Sequence, residues 1–141
     1  MENKEYKPDR KWIIEVNEAQ LLDIINCVED SHRFAAGQTE LDNLTSLIED
    51  CDKMFEMRRG LWELQPLMTP GLGRCSYYGW NGGNCPNKFQ KDFIQRTYAI
   101  YRNLRHCVEK FRDREEWNVY QSETLTCGHP LAICYPKTEK Q

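Results

Sequence analysis

The spacing of apolar residues on either side of one irregular segment constrains the fold of this 141-residue chain most strongly. Before residue 60 and after residue 87, apolar side chains recur every three or four positions, which is typical of one buried face of a helix. Between them, residues 61–86 contain so many glycines and prolines that regular structure cannot run through the whole segment. The sequence therefore predicts long helices that are separated by an irregular connection.

Two helices are predicted before this connection. Asn17 and Gln20 form a capping-box pattern that starts the first helix near Glu18, and Gly37 is a natural stop. Thr39 can cap a second helix that continues to about Arg58 and packs against the first as an antiparallel hairpin. One long helix with Gly37 inside it is the alternative, because an interior glycine costs only about 1 kcal/mol. The buried stripe of the first helix is Leu21, Ile25, Val28, His32 and Ala35, and that of the second is Leu41, Leu44, Ile48, Cys51 and Phe55.

A third long helix is predicted after the connection. Asn87 can cap it, and its apolar stripe runs from Phe89 to Phe111, so that it ends near Arg114. The segment 65–87 before it is long for a loop in a compact domain, which favours a role as a lid over a ligand. The aromatic residues of this loop should hold it against the body of the domain; they are Tyr77, Tyr78 and Trp80.

Short β-branched and aromatic runs predict strands at residues 12–16, 117–126 and 131–135. A turn at Gly128 and Pro130 would join the last two as a hairpin. We therefore expect an α+β fold, in which three long helices pack with a small antiparallel sheet made from the N-terminal strand and the C-terminal hairpin. This single domain would span residues 12–135, with flexible polar tails at 1–11 and 136–141.

Charge is unevenly distributed along the chain. Residues 1–57 carry 14 acidic and 6 basic side chains, whereas residues 58–114 carry 11 basic and 4 acidic ones. Either neighbouring helices of opposite charge face one another, or the third helix presents a basic surface. The acidic first half argues against long duplex DNA as a partner, since duplex binding depends on many phosphate contacts. A small anion such as a nucleotide suits this distribution better.

Three groups of residues are candidates for a ligand site. Arginines beside aromatic rings can pair with phosphate and stack on a base, and glycines let backbone N–H groups approach a ligand. Each group also has a purely structural interpretation, as a helix corner, a solvated helix face or a structural loop. The groups are His32, Arg33, Phe34 and Gln38 at the end of the first helix; Arg96, Tyr98, Arg102 and Arg105 on the third; and Tyr77, Tyr78 and Trp80 in the loop.

Catalytic and metal-binding patterns are weak. The sequence contains no nucleophile elbow, zinc-protease motif or kinase motif. We therefore expect that the protein is not an enzyme and that it binds no cofactor. Its seven cysteines form no Cys-x-x-Cys pair, and they are most simply buried free thiols. The alternative is a zinc-stabilised loop built from Cys75, Cys85, Cys127 and His129. No apolar run is long enough to span a membrane, and the polar start carries no secretory signal, so we expect a cytoplasmic protein.

Five short segments of the sequence carry a resemblance to a group of known proteins: residues 27–41, 67–70, 84–87, 98–102 and 117–120. Together they resemble small uncharacterised proteins of phages and prophages of gut bacteria, over residues 17–134. This resemblance implies a protein made in the cytoplasm of an infected bacterium, but it implies no reaction and no site residues.

We therefore expect a phage-encoded anti-defence protein that sequesters a nucleotide-derived immune signal without cleaving it. A cyclic nucleotide or a molecule like cyclic ADP-ribose would be the ligand, and a homo-oligomer would enclose it. One alternative is an inhibitor that binds a host defence protein through the acidic helical hairpin. A further alternative is a structural or regulatory phage protein stabilised by zinc.

Overall fold

The first helix, α1, runs from Glu18 to Ala36 and has the boundaries that its capping signals predict. The computed structural model describes residues 4–113, 118–125 and 127–138. The side chain of Asn17 accepts the backbone N–H of Gln20 at 2.8 Å, and the Gln20 side chain accepts the N–H of Asn17 at 3.0 Å. Gly37 follows with φ 107°, a left-handed conformation that glycine adopts without strain. The helix stop at Gly37 is thereby confirmed.

Helix α5, Lys88–Arg112, is the predicted third helix and the main partner of α1. Asn87 caps it, as its sequence predicts, by accepting the N–H of Gln90 at 3.2 Å. The two helices are antiparallel, because Ile25 near the middle of α1 packs against Leu104 and Val108, whereas the C-terminal residue Ala35 packs near Ile94. This pair forms the core of the described structure.

The predicted second long helix and its hairpin with α1 are wrong. The segment forms three shorter helices instead: α2 Asp42–Thr45, α3 Cys51–Glu63 and α4 Gln65–Met68. Thr39 caps none of them, since it is buried and donates a hydrogen bond to the Leu61 carbonyl at 3.0 Å. Helix α3 contacts α2 and α4 but not α1.

A contact from α1 fixes where the second helical segment begins. The carboxylate of Asp30 is buried and accepts the backbone N–H groups of Asn43 at 3.1 Å and Leu44 at 2.8 Å. These are first-turn donors of α2, which have no partner inside the helix. A charged acceptor on another helix thus fixes the start of α2, and Asp50 caps α3 separately. Local spacing cannot reveal such a contact.

The predicted α+β class is also wrong, because the described residues are helical or irregular and contain no strand. Residues 12–16 have no regular structure and are exposed, with Ile13 95% exposed, and no other described segment forms backbone hydrogen bonds with them. Residues 131–135 keep the alternation of a strand, since Ala132 and Cys134 pack on the α1–α5 core while Ile133 points outward. However, the Ala132 carbonyl accepts its hydrogen bond from the Asn103 side chain on α5.

The predicted lid, residues 65–87, comprises α4 and the connection between α4 and α5, and side-chain amides of α5 fasten it to the helix pair. Gln90 donates to the carbonyls of Ala35 at 2.8 Å and Met68 at 2.9 Å, and Gln95 donates to that of Asn81 at 3.0 Å. A short 3₁₀ helix, Val119–Gln121, contacts α5 further along. The predicted strand 117–126 contains this 3₁₀ helix, and residues 117 and 126 at the two ends of that prediction lie outside the described residues. Residues 1–3 and 139–141 of the predicted tails also lie outside them, as do residues 114–116 at the predicted end of the third helix.

In the part of the chain that the structure describes, no helix is both long enough and apolar enough to cross a lipid bilayer.

Candidate functional site

Three segments bring an arginine and three aromatic rings together, which we call the arginine–aromatic cluster: Trp80, Tyr98, Arg102 and Tyr120. The rings of Trp80 and Tyr98 have centroids 4.8 Å apart. The guanidinium carbon of Arg102 lies 4.8 Å from the centre of the Tyr120 ring and 5.9 Å from that of Tyr98. The connection, α5 and the 3₁₀ helix each supply part of the cluster, so it depends on the tertiary fold.

The charge of Arg102 is not neutralised by an acidic neighbour. Among residues 4–113, 118–125 and 127–138, no carboxylate lies within 4.0 Å of its guanidinium group, and its buried Nε atom has no hydrogen-bond partner. Arg105, one turn further along α5, also has a buried Nε without a hydrogen-bond partner among the described residues, but its charge is balanced. Its Nη2 atom lies 2.8 Å from Asn26 Oδ1 and 3.5 Å from a carboxylate oxygen of Glu29. Arg102 is therefore the cation of this surface that is best placed to take an external anion.

Glu29 is the acidic centre of a network that ties the helices together beside the cluster. It is buried, lies 3.5 Å from both Arg33 and Arg105, and accepts from the Asn43 side chain at 2.9 Å. Burial, together with the charge of Glu29, raises the pKa of Tyr101 to about 12, so this phenol stays protonated at neutral pH. Ion pairs between α1 and α5 support the interpretation that part of the uneven charge serves helix packing.

His32 is a buried structural residue beside this network. Its side chain is 3% exposed, and Nδ1 donates to the Ile94 carbonyl at 2.8 Å. The rings of Tyr98 and Tyr101 pack against it at 5.4 and 5.3 Å. Burial lowers the pKa of His32 to about 4, so the ring is neutral and offers no charge to a ligand. It positions the two tyrosines instead.

The remaining predicted site residues lie apart from the cluster. Tyr78 is part of the core, Tyr77 lies beside Gly37, Phe34 is half-buried on α1, and Arg96 is exposed on α5. Gln38 lines a cleft of about 70 Å³ at the end of α1, together with Asp30, Arg33, Glu40, Leu41 and Asp42. Small-molecule sites are commonly roughly 300–1,000 Å³ in volume, so this cleft is too small to enclose a nucleotide.

Sequence reasoning missed three residues of the site region. Tyr120 lies under both Arg102 and Arg105, yet it is distant in sequence and sits in a segment that was predicted to be a strand. Glu29 precedes Arg33 by four residues, which is a helical ion-pair spacing that could have pointed to it. Asn26 carries no local signal.

Within the described ranges, no three His, Cys, Asp or Glu side chains are grouped so that they could hold a metal ion. The thiol of Cys85, a member of the suggested zinc set, is buried and donates to the Asn87 carbonyl at 3.5 Å. The cysteines in the described residues are free thiols.

Comparison of the chain with models of protein families, with curated proteins and with solved structures found no match.

Proposed function

We propose that the protein binds a nucleotide-derived anion at the arginine–aromatic cluster and releases it unchanged. One observation carries this proposal: Arg102 lies over the rings of Tyr98 and Tyr120, and no carboxylate of the described residues lies within 4.0 Å of its guanidinium group. A buried guanidinium nitrogen without a partner is costly, and a ligand that accepts its hydrogen bond would relieve that cost.

The chemistry of the cluster favours a nucleotide over a simple anion. A guanidinium group pairs with two phosphate oxygens at once, and aromatic side chains stack on the face of any base. Trp80 is partly exposed and packs against Tyr98, so a base could extend this stack from the solvent side. The ligand would lie on this open face, because the neighbouring cleft beside Arg33 is too small for it.

The resemblance to phage proteins suggests which nucleotides to test first. A phage protein that binds such a ligand tightly, in the cytoplasm of an infected bacterium, would remove a signal of host immunity from solution. Cyclic dinucleotides, cyclic trinucleotides and isomers of cyclic ADP-ribose are the candidate signals. Sequestration requires binding alone, so the bound ligand should be recovered intact after the protein is denatured.

Thermal unfolding with a panel of these nucleotides tests the proposal. A ligand at one hundred times its dissociation constant stabilises the folded protein by about 2.7 kcal/mol, which raises the melting temperature by several degrees. We expect a selective shift that Arg102→Gln abolishes. Arg96→Gln is the matched control, because Arg96 is exposed on the same helix and lies outside the cluster.

Three results would contradict the proposal. If no nucleotide of the panel changes the melting temperature, the protein does not bind these nucleotides. If the shift persists in Arg102→Gln, the ligand binds outside the arginine–aromatic cluster. Mass spectrometry of the ligand released after denaturation decides whether it is cleaved, and a hydrolysed ligand would rule out sequestration.

A further inference from the structure

Helix α3 is formed, yet none of its 13 residues is buried by the rest of the described chain. Helices of this length are marginal on their own, and most helices in proteins are stabilised by packing of one face. Gly60 inside α3 weakens the helix further by about 1 kcal/mol relative to alanine. Met54, Leu61 and Trp62 on one side of the helix are half-buried, so the side that carries Phe55 is the one that the described chain leaves uncovered.

The exposed face of α3 carries one aromatic residue among three charged ones. Asp52, Phe55, Glu56 and Arg59 line one open groove on this helix. Their spacing of three and four residues places them on the same side of the helix. The Phe55 side chain is 57% exposed in the middle of this face, with an acidic residue one turn before it and a basic residue one turn after it.

The total accessible surface exceeds that of a compact monomer, and part of the excess lies on the exposed N-terminal segment 4–17. The chain exposes 10,782 Å². A compact monomer of 16.8 kDa exposes about 7,700 Å². The excess of about 3,100 Å² is several times the roughly 800 Å² that each partner buries in a standard protein interface. A second protein surface can therefore be covered without opening the fold.

We propose that this face of α3 packs against the α3 helix of a second copy of the chain, antiparallel and related by a two-fold axis. Asp52 and Arg59 are two helical turns apart, with Phe55 and Glu56 midway between them. The antiparallel arrangement places Asp52 opposite Arg59 of the second copy, and the same pair forms again at the other end. A parallel arrangement would instead oppose like charges at both ends.

Phe55 supplies the apolar centre of this contact. The two-fold axis passes between Phe55 and Glu56, so the two phenylalanine rings lie on the same side of the interface and pack together. The same axis brings the two Glu56 carboxylates together on its other side, at the solvent-exposed rim. The contact therefore combines an aromatic centre and two ion pairs with one pair of like charges.

Charge-reversal variants of the full chain test both the contact and its direction. Asp52→Lys alone opposes two cations, and Arg59→Glu alone opposes two anions, so each variant should self-associate at least about tenfold more weakly than the parent. A mixture of the two variants restores both opposite-charge pairs, and it should dimerise more tightly than either variant alone. Analytical ultracentrifugation measures all three samples.

Substitution of the aromatic centre provides an independent test. Phe55→Ser should convert the protein to a monomer, whereas Phe89→Ser should not, although Phe89 is even more exposed on α5. Circular dichroism confirms that both variants stay folded. A parent protein that is monomeric up to millimolar concentration would overturn the proposal, as would charge variants that dimerise like the parent. If the mixture of Asp52→Lys and Arg59→Glu dimerises no more tightly than either variant alone, the antiparallel arrangement is wrong.

Discussion

At the residue scale, the surroundings of His32 determine how the stability of the protein depends on pH. The folded state holds this ring neutral with a pKa of about 4, because the ring is buried and its Nδ1–H donates to the Ile94 carbonyl. In the unfolded chain a histidine has a pKa of about 6.5. Between these values the unfolded state binds more protons than the folded state, so stability falls as the pH falls through this window.

We predict that the parent protein is about 2 kcal/mol less stable at pH 5 than at pH 8 because of His32. Urea unfolding at the two pH values measures the difference. His32→Gln keeps a hydrogen-bond donor but cannot titrate, so its stability should change much less over this range. Equal losses in the parent and in His32→Gln would show that other groups cause the pH dependence.

The sequence could identify single residues whose role is local, but it could not separate a core residue from a ligand contact. Asn17, Gly37 and Asn87 act on the backbone within four residues of themselves, and their roles as caps were predicted. His32 and Arg102 looked equally suited to a ligand site. Only the packing of α1 on α5 shows that the first is enclosed while the second is half-buried beside two tyrosine rings.

At the element scale, two glycines differ in their backbone conformation and in the room that each leaves for a side chain. Gly37 ends α1 with a positive φ, and a Cβ atom there would lie 2.5 Å from the methyl group of Thr69, which is fully buried. Gly60 lies inside α3 with ordinary helical geometry, and a Cβ atom there would meet nothing within 4 Å. The first glycine is required by its surroundings, and the second is not.

We predict that Gly37→Ala destabilises the protein by about 2 kcal/mol or more, through backbone strain and the clash with Thr69. Gly60→Ala should stabilise it by about 0.5–1 kcal/mol, because alanine reduces the conformational freedom of the unfolded chain and favours the helix. Denaturant unfolding of the two variants beside the parent measures both. A Gly37→Ala protein as stable as the parent would contradict the described helix end.

Elements were predicted well where their signals are local and poorly where their partners are distant. The long helices α1 and α5 carry their own caps and apolar stripes. The start of α2 depends on Asp30, and the strand-like segment 131–135 depends on Asn103, both far away in sequence. A strand needs a neighbouring edge as well as an alternating pattern, and in this segment the Asn103 side chain of α5 donates to the Ala132 carbonyl instead.

At the scale of the whole molecule, stability is concentrated in the α1–α5 pair. Both hydrophobic clusters join residues of α1 to residues of α5, and Gln95 of α5 holds the connection between α4 and α5 through the Asn81 carbonyl. Helix α3 contributes no buried residue to either cluster. The charge asymmetry predicted some attraction between halves of the chain, but it could not show that α5, rather than the second helical segment, packs along α1.

This distribution predicts the pattern of amide hydrogen exchange. In dilute solution the amides of α1 and α5 should exchange slowest and together, whereas those of α3 should exchange orders of magnitude faster, because α3 can open without disturbing the core. Ile25→Ala removes a fully buried side chain between α1 and α5 and should destabilise the protein by about 2–4 kcal/mol, with faster exchange in both helices. Phe55→Ala, on the exposed face of α3, should leave α1 and α5 unchanged. Mass spectrometry of exchanged peptides resolves these helices, and protection of α3 equal to that of α1 in a dilute monomer would contradict this division of the molecule.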